Sequence, residues 1–333
     1  MKQAPVLPRL IERFFTERLI RQRNLSPHTI ASYRDTFRLL LRFTEKHLKL
    51  QPSSLELRHI DAPLIVAFLD DLEMHRAAGA RTRNLRLTAL RSFFRFVAFE
   101  EPSYSGHIQR ILLIPSKQHD KRVIHFLTRA EIEALLAAPN AKTWLGRRDH
   151  ALLRLAVQTG LRLSELIQLD CDAVVLGRGA HVRCTGKGRK ERCTPLTVQT
   201  VSILRAWLKE SRPEGVTALF PTVRGEHLSP DAVQYLLRKY VMVARTTCAT
   251  LKRKRVSVHV LRHSAAMELL QAGVDCSVIA LWLGHESVET TQIYLHAHLA
   301  LKEAALSKVA PMNRKAVGRY RPNDKLLQFL NTL

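Results

Sequence analysis

The chain has 333 residues, enough for two domains that each bury a hydrophobic core. Its 53 lysines and arginines outnumber 29 aspartates and glutamates, which gives a formal net charge of +24. This excess predicts a polyanionic partner, with nucleic acid favoured over an acidic membrane surface. No apolar run reaches the roughly 18 residues of a membrane-spanning helix, and no signal-peptide pattern opens the sequence. A cytoplasmic, nucleoid-associated protein is therefore expected.

Five cysteines are spread along the chain without a C-x-x-C pair. An odd number without that spacing favours neither a disulfide framework nor a zinc ribbon, so reduced thiols are expected. Cys184 and Cys193 flank the turn of a predicted hairpin. We expect these two to face each other, within reach of an adventitious bond.

Residues 1–104 are predicted to form a helical domain of four amphipathic helices. Ser26 followed by Pro27 indicates an N-cap and first turn for the second helix, and Asp61 precedes the third. The fourth helix, residues 80–101, carries basic side chains largely off its apolar face. These are Arg81, Arg83, Arg86, Arg91 and Arg95. A basic helix of this kind predicts a DNA-clamping module, with a solvated charged face as the alternative.

Residues 105–124 combine a proline, a glycine and charged residues, and Pro102 lies just before them, a composition typical of a linker. The second domain is predicted to span residues 125–310, and a capping box at residues 128–131 marks its first helix. Within it, residues 181–196 have β-prone runs on both sides of a Gly- and Lys-rich turn, which predicts a hairpin with residues 187–190 at its tip. The predicted fold class is therefore α+β, mainly α-helical with a small β-hairpin or sheet.

Polar residues of the types that bind a phosphodiester and attack it cluster near the C-terminus, between helical apolar positions. They are His259, Arg262, His285 and Tyr294. The attack concentrates negative charge on the non-bridging oxygens, and arginine suits this because its planar fork stays charged and binds two oxygens. Arg162, with Glu165 one turn on, supplies a second fork. Lys187 at the hairpin tip could protonate the leaving 5′ oxygen, and Lys190 in the same turn is the alternative acid. Tyr294 is the strong nucleophile of this stretch, which predicts a covalent phosphotyrosine bond.

Five segments also carry a resemblance to a known family. They are T-G-L-R-L-S-E-L at 159–166, T-G-K-G-R-K-E-R at 185–192, H-V-L-R-H-S-A-A at 259–266, L-G-H-E-S at 283–287 and T-T-Q-I-Y at 290–294. In order and spacing they resemble the tyrosine recombinase (phage integrase) family, most closely its Xer-like and transposon-borne members. The resemblance covers residues 125–297. The N-terminal module more loosely resembles the SAM-like core-binding domain of the family.

The resemblance implies a catalytic set with one supporting acid. The set is Arg162, Lys187, His259, Arg262, His285 and Tyr294, supported by Glu165. The arginines would bind the scissile phosphate, the lysine would be the general acid, and the histidines would hydrogen-bond the phosphate. His259 is also implied as a proton acceptor for Tyr294, which would become linked to the 3′ phosphate and leave a free 5′ hydroxyl. His263, beside Arg262, is taken as a histidine without a catalytic task.

The resemblance also implies that no cofactor and no metal are needed, because a phosphotyrosine bond conserves the energy of the phosphodiester. The implied partners are double-stranded DNA with specific recombination sites and other copies of this chain, as a homotetramer that exchanges strands through a Holliday junction. Residues 311–333 form a tail, and its apolar segment 325–333 is the candidate for docking on a neighbouring subunit. Integration, excision, resolution and transposition all stay open, as does a need for partner recombinases.

Three alternatives accompany this interpretation. One is a catalytically inactive DNA-binding protein of the same fold, and the second is a type IB topoisomerase. The third is a metal-dependent nuclease or relaxase, because His296 and His298 form an H-x-H pair that could bind a divalent ion. The Gly- and Lys-rich turn lacks the G-x-x-x-x-G-K-[ST] spacing of a phosphate loop, so nucleotide binding is rejected.

Overall fold

The chain is mainly helical with one small antiparallel sheet, which confirms the predicted α+β class. It divides into two compact units, Met1–Arg122 and Val123–Leu333. The computed structural model describes residues 7–119, 124–186, 190–210, 214–287, 289–291 and 294. Within those residues, no helix is long and apolar enough to cross a bilayer.

The first unit is helical, and its elements follow the predicted caps. The helices are α1 (Leu7–Arg13), α2 (Pro27–Leu48), α3 (Ala62–Arg76), α4 (Ala80–Glu100) and α5 (Ser105–Leu112). A π-helical segment, Phe14–Gln22, continues α1 directly. Ser26 accepts a hydrogen bond from the backbone of Thr29, and Asp61 accepts one from Leu64, so both predicted N-caps are present.

The basic residues of α4 are only partly available to an outside partner. Arg83 and Arg91 donate hydrogen bonds to residues 114–116 of the same unit, and Arg86 donates to the Ser32 carbonyl of α2. The two arginines that remain exposed are Arg81 and Arg95. The expectation of an outward basic face therefore applies to two of the five arginines.

The expected linker begins later than its composition indicated. Ile108 and Ile111 of α5, with Ile114 just after it, are buried in the core of the first unit. Beyond them, Asn84 of α4 exchanges two hydrogen bonds with the backbone of Lys117. Residues 105–117 thus belong structurally to the first unit, because their isoleucines recur at helical spacing and have a core to enter.

The second unit contains a three-stranded antiparallel sheet in the order β1-β2-β3, with one face buried. Its helices are α6 (Arg129–Ala137), α7 (Trp144–Thr159), α8 (Leu163–Ile167), α9 (Val198–Leu208), α10 (Pro230–Thr247), α11 (Val258–Gln271) and α12 (Cys276–Leu283). Its strands are β1 (Val174–Val175), β2 (His181–Thr185) and β3 (Glu191–Pro195). The hairpin was predicted, but β1 was not, because two residues leave no detectable alternation in the sequence.

The two hairpin cysteines do not face each other, so that expectation is wrong. Cys184 stands opposite Arg192, and Cys193 stands opposite Arg183. Side chains of successive residues point to opposite faces of a sheet. Cys184 is accordingly buried and Cys193 exposed.

A glycine brings three helices of the second unit together beside the candidate site. Gly160 ends α7 with a φ of +62°, in the left-handed region that glycine tolerates. A Cβ at this position would lie 2.7 Å from Cδ2 of Leu283 and 3.2 Å from Cβ of Ala265. The missing side chain therefore lets α7, α11 and α12 pack closely.

Candidate active site

Two arginines from distant parts of the chain are anchored on one turn. Arg262 is 2% exposed, and it donates to the Gly160 carbonyl at 2.7 Å and to the Leu283 carbonyl at 2.8 Å. Arg162 donates to the next carbonyl, that of Gly284, at 2.8 Å. Because Leu283 and Gly284 are consecutive residues, the guanidinium groups of Arg262 and Arg162 are held side by side.

The positive charge of these two arginines favours the binding of an anion between them. Burial, and then the nearby Arg162, lower the pKa of Arg262 to about 10. The group stays protonated at neutral pH, and an anion bound beside it would relieve the repulsion. A cavity of about 310 Å³ opens here, and its polar lining includes Arg162, Gln234, Ser257, His259 and Arg262.

Glu165 connects Arg162 to a third arginine, Arg192. The carboxylate is 5% exposed, and it accepts from the Arg162 backbone N–H at 2.7 Å and from its guanidinium at 2.8 Å. Arg192 donates to both carboxylate oxygens, at 2.9 and 2.7 Å. Burial alone raises the pKa of Glu165, but hydrogen bonds and charge from Arg192, together with the bonds from Arg162, lower it to about 2. The carboxylate is therefore ionised and fixed.

Sequence reasoning assigned no role to Arg192, although it lies in a quoted motif. Its side chain is 11% exposed and occupies space that two glycines leave free. A Cβ at Gly284 would lie 2.8 Å from Nη1 of Arg192, and one at Gly186 would lie 3.1 Å from the same atom. No signal in the sequence pointed to this role, because the expected register placed Cys184 opposite Cys193, whereas the observed register pairs the buried Cys184 with Arg192.

Tyr294 is buried against α11 rather than presented at the surface. It is 1% exposed, and its hydroxyl lies 2.9 Å from Nδ1 of His263. Burial raises the pKa of Tyr294 to about 12, although the charge of Arg262 acts in the opposite direction. His263 also packs edge-to-face on His259, with ring centroids 4.3 Å apart. The four-residue spacing of the two histidines, which places them on one helix face, was the missed signal.

His285 follows the turn that anchors the arginines. Its Nδ1 lies 2.7 Å from Oγ1 of Thr291, and its ring is nearly parallel to that of Tyr294 with centroids 6.5 Å apart. Burial, and then Arg262 and Arg162, lower the pKa of His285 to about 4. The ring is therefore neutral at physiological pH.

Most of the predicted site residues lie in this one part of the second unit. Those brought together are Arg162, Glu165, His259, Arg262, His285 and Tyr294. Lys187 lies outside the described residues, as do His296, His298 and the tail 311–333. In the part of the chain that the structure describes, no group of three or more His, Cys, Asp or Glu side chains could hold a metal ion.

Comparisons with known proteins give consistent matches. The phage integrase family matches residues 125–300, and its N-terminal SAM-like domain matches residues 11–101. An integrase/recombinase of Sinorhizobium fredii, y4rC, is 59% identical over 332 residues, covering 100% of this chain and 99% of the relative. Tyrosine recombinase XerC of Pelotomaculum thermopropionicum is 35% identical over 285 residues, 83% of this chain and 89% of the relative. The XerH site-specific recombinase, solved with its difH substrate after cleavage, superposes with a TM-score of 0.69 at 25% identity, over 86% of this chain and 81% of that one.

Proposed function

Since the chain belongs to the phage integrase family of tyrosine recombinases, we propose that it cuts and rejoins DNA through a covalent bond between Tyr294 and a 3′ phosphate. Family membership makes it a site-specific DNA recombinase. The observation that carries the proposal is the buried Tyr294 hydrogen-bonded to His263, the residue after Arg262, which is itself anchored beside Arg162. Nucleophile and cations in one preorganised cluster are what phosphoryl transfer needs.

Each group then has a task in the cleavage step. The two arginine forks bind the non-bridging oxygens of the scissile phosphate and stabilise the charge that develops there. The Tyr294 oxygen attacks phosphorus, and Lys187 protonates the departing 5′ oxygen. His259 and His285 donate hydrogen bonds to the phosphate, and Glu165 holds Arg162 in its orientation.

Rejoining reverses this step with a different 5′ hydroxyl. The phosphotyrosine bond keeps the energy of the original phosphodiester, so rejoining needs no metal and no cofactor. Exchange between two double-stranded DNA sites passes through a Holliday junction held by a homotetramer. The XerH complex with difH supports a DNA partner, and a cytoplasmic, nucleoid-associated location follows from that partner. The S. fredii relative, an integrase/recombinase by name, supports DNA integration as one of the possible outcomes.

Tyr294→Phe is expected to bind DNA and form no covalent adduct. The substitution keeps the buried ring and removes only the hydroxyl, whose hydrogen bond to His263 contributes about 1 kcal/mol. The DNA site is first mapped by sequencing DNA covalently attached to the protein in cells. Adduct formation is then measured on a suicide duplex that carries this site.

Tyr240→Phe is the matched control, because Tyr240 is also buried in the second unit and its hydroxyl donates to Asp149 at 2.8 Å. It should form the adduct at the wild-type rate. An adduct that persists in Tyr294→Phe would contradict the proposal.

Full activity in EDTA is expected, whereas a metal-dependent nuclease or relaxase would lose its activity. A reaction on two duplexes that each carry the site distinguishes the two DNA-rejoining activities. A recombinase exchanges strands between the duplexes, whereas a topoisomerase only relaxes each of them.

The tail supplies the proposed contact between subunits. Segment 325–333 is apolar on one side, with four leucines and a phenylalanine. A cavity of about 600 Å³ between α6, α7, α11 and Trp282 is the proposed receiving groove. Its apolar lining includes Ile132, Leu136, Val157, Ile203 and Leu269.

Removal of residues 323–333 is expected to abolish tetramer formation on two-site DNA while leaving binding of a single site unchanged. The truncated chain keeps its groove, so it should still join a full-length copy that offers an intact tail. Gel filtration with DNA, for each chain and for the mixture, measures this. Unchanged assembly of the truncated chain alone would refute the docking contact.

A further inference from the structure

The hydroxyl of Tyr294 has a hydrogen-bond partner that is not one of the expected site residues. Nδ1 of His263 lies 2.9 Å from the Tyr294 hydroxyl, within the range for direct proton transfer. His263 lies on α11 one helical turn after His259 and directly after Arg262. Its position is thus set by the same helix that carries the arginine.

The tyrosine needs such a neighbour because it does not ionise by itself. Burial raises the pKa of Tyr294 to about 12, so the phenol is protonated at neutral pH. A phenol is a poor nucleophile until its proton leaves, and a positioned base that removes it during attack contributes roughly 10²–10⁴-fold in rate.

His263 has the protonation state that an acceptor requires. The groups that face it are His259, Arg262, His285 and Tyr294. Burial, and then His259, Arg262 and His285, lower the pKa of His263 to about 4, so its ring is neutral. A neutral imidazole has one nitrogen that accepts. A DNA phosphate bound at the arginines would offset their charge and raise the pKa of His263, which increases its strength as a base during the reaction.

We propose that His263 is a catalytic residue, the proton acceptor for Tyr294. The inference rests on the proposed function and replaces the acceptor role implied for His259. As the Tyr294 oxygen bonds to phosphorus, its O–H bond breaks and the proton moves to Nδ1 of His263. The P–O5′ bond breaks, and the 5′ oxygen takes its proton from the general acid. During rejoining, His263 returns its proton to the phenol oxygen.

His259 then keeps a separate task. Its ring packs on that of His263, and its side chain lines the cavity shared with Arg162 and Arg262. This position suits a hydrogen bond to a phosphate held between the arginines. One histidine thus serves the phosphate and the other serves the nucleophile.

The test measures single-turnover adduct formation on the mapped suicide duplex from about pH 6.5 to about pH 9, for wild type, His263→Asn and His259→Asn. In His263→Asn, the amide oxygen replaces Nδ1 and keeps the hydrogen bond but cannot take a proton. We expect its rate at neutral pH to fall about 100-fold or more, and then to rise about tenfold per pH unit, because hydroxide must remove the proton. His181→Asn, a change on strand β2 away from the tyrosine, is the control and should match wild type.

His259→Asn should be slower at every pH, without that steep dependence on hydroxide. A His263→Asn rate that equals wild type, or that is slow but independent of pH, would overturn the inference. If His263→Asn does not bind the duplex, His259→Asn decides alone. If the rate of His259→Asn rises with hydroxide concentration, His259 is the acceptor of the Tyr294 proton. If that rate is independent of pH, the result supports His263. Absence of an adduct with wild type would instead contradict the proposed function itself.

Discussion

Glu165→Gln is expected to lower the rate of covalent adduct formation about 100-fold or more and to destabilise the second unit by about 3–5 kcal/mol. The introduced amide would have nearly the shape of the carboxylate but no charge. It would leave two guanidinium groups, those of Arg162 and Arg192, beside a neutral partner in a buried setting. Arg162 would then lose the partner that fixes its fork, and misplacement of about 1 Å costs on the order of 100-fold in rate.

Two measurements separate the catalytic effect from the structural one. Glu131→Gln is the matched control, because Glu131 is also buried, at 1% exposure, and accepts from Lys254 and Thr250 away from the arginines. It should lose a similar amount of stability, measured by urea unfolding, and retain adduct formation. Equal losses of activity in the two variants would mean that Glu165 acts through stability alone.

The pH dependence of stability provides a further check on Glu165. Its pKa is lowered from 4.5 to about 2 in the folded chain, so its ionised form stabilises the fold fully above the unfolded value. That contribution is lost as pH falls from about 4.5 through about 2. Wild type should lose more stability than Glu165→Gln over this window. Parallel stability curves would contradict the lowered pKa.

Local spacing was enough to predict two features next to the candidate site, the helix start at Arg162 and the hairpin. The four residues from Arg162 to Glu165 form a capping box at the start of α8, which is a contact between near neighbours in sequence. The hairpin was predicted for the same reason, since its β-prone runs flank one turn. Both features depend on interactions within a few residues, which pattern and turn chemistry describe well.

The contacts that align the site were not predictable in this way. Arg162 and Gly284 are 122 residues apart, and the bond between them depends on how α12 ends against α7. His263 was passed over because it was judged by its place beside Arg262, and its four-residue spacing from His259 on the same helix was not used. Its role emerges only once Tyr294, 31 residues later, is packed onto α11. Composition also gave a wrong start for the linker. The prolines and glycine around α5 indicated a linker, but the isoleucines of that stretch belong to the core of the first unit.

Gly284→Ala is expected to lower adduct formation about 100-fold, although the residue has no side chain and performs no chemistry. Its φ is +66°, and a Cβ would lie 2.8 Å from Nη1 and 3.1 Å from Cδ of Arg192. Arg192 cannot move aside freely, because both of its terminal nitrogens bond Glu165. The turn must shift instead, and with it the carbonyl that anchors Arg162.

Gly179→Ala isolates the backbone part of this effect. Gly179 also has a positive φ, +73°, but nothing lies within 4 Å of its Cβ position. Both variants should lose about 1 kcal/mol from the left-handed conformation, and only Gly284→Ala should lose a further ~1–3 kcal/mol from the steric clash, the usual cost of overpacking. If the clash acts through Arg192, Gly284→Ala should add little to the loss of activity in Arg192→Ala. Additive losses in the double variant would show instead that the turn positions Arg162 and His285 independently of Arg192.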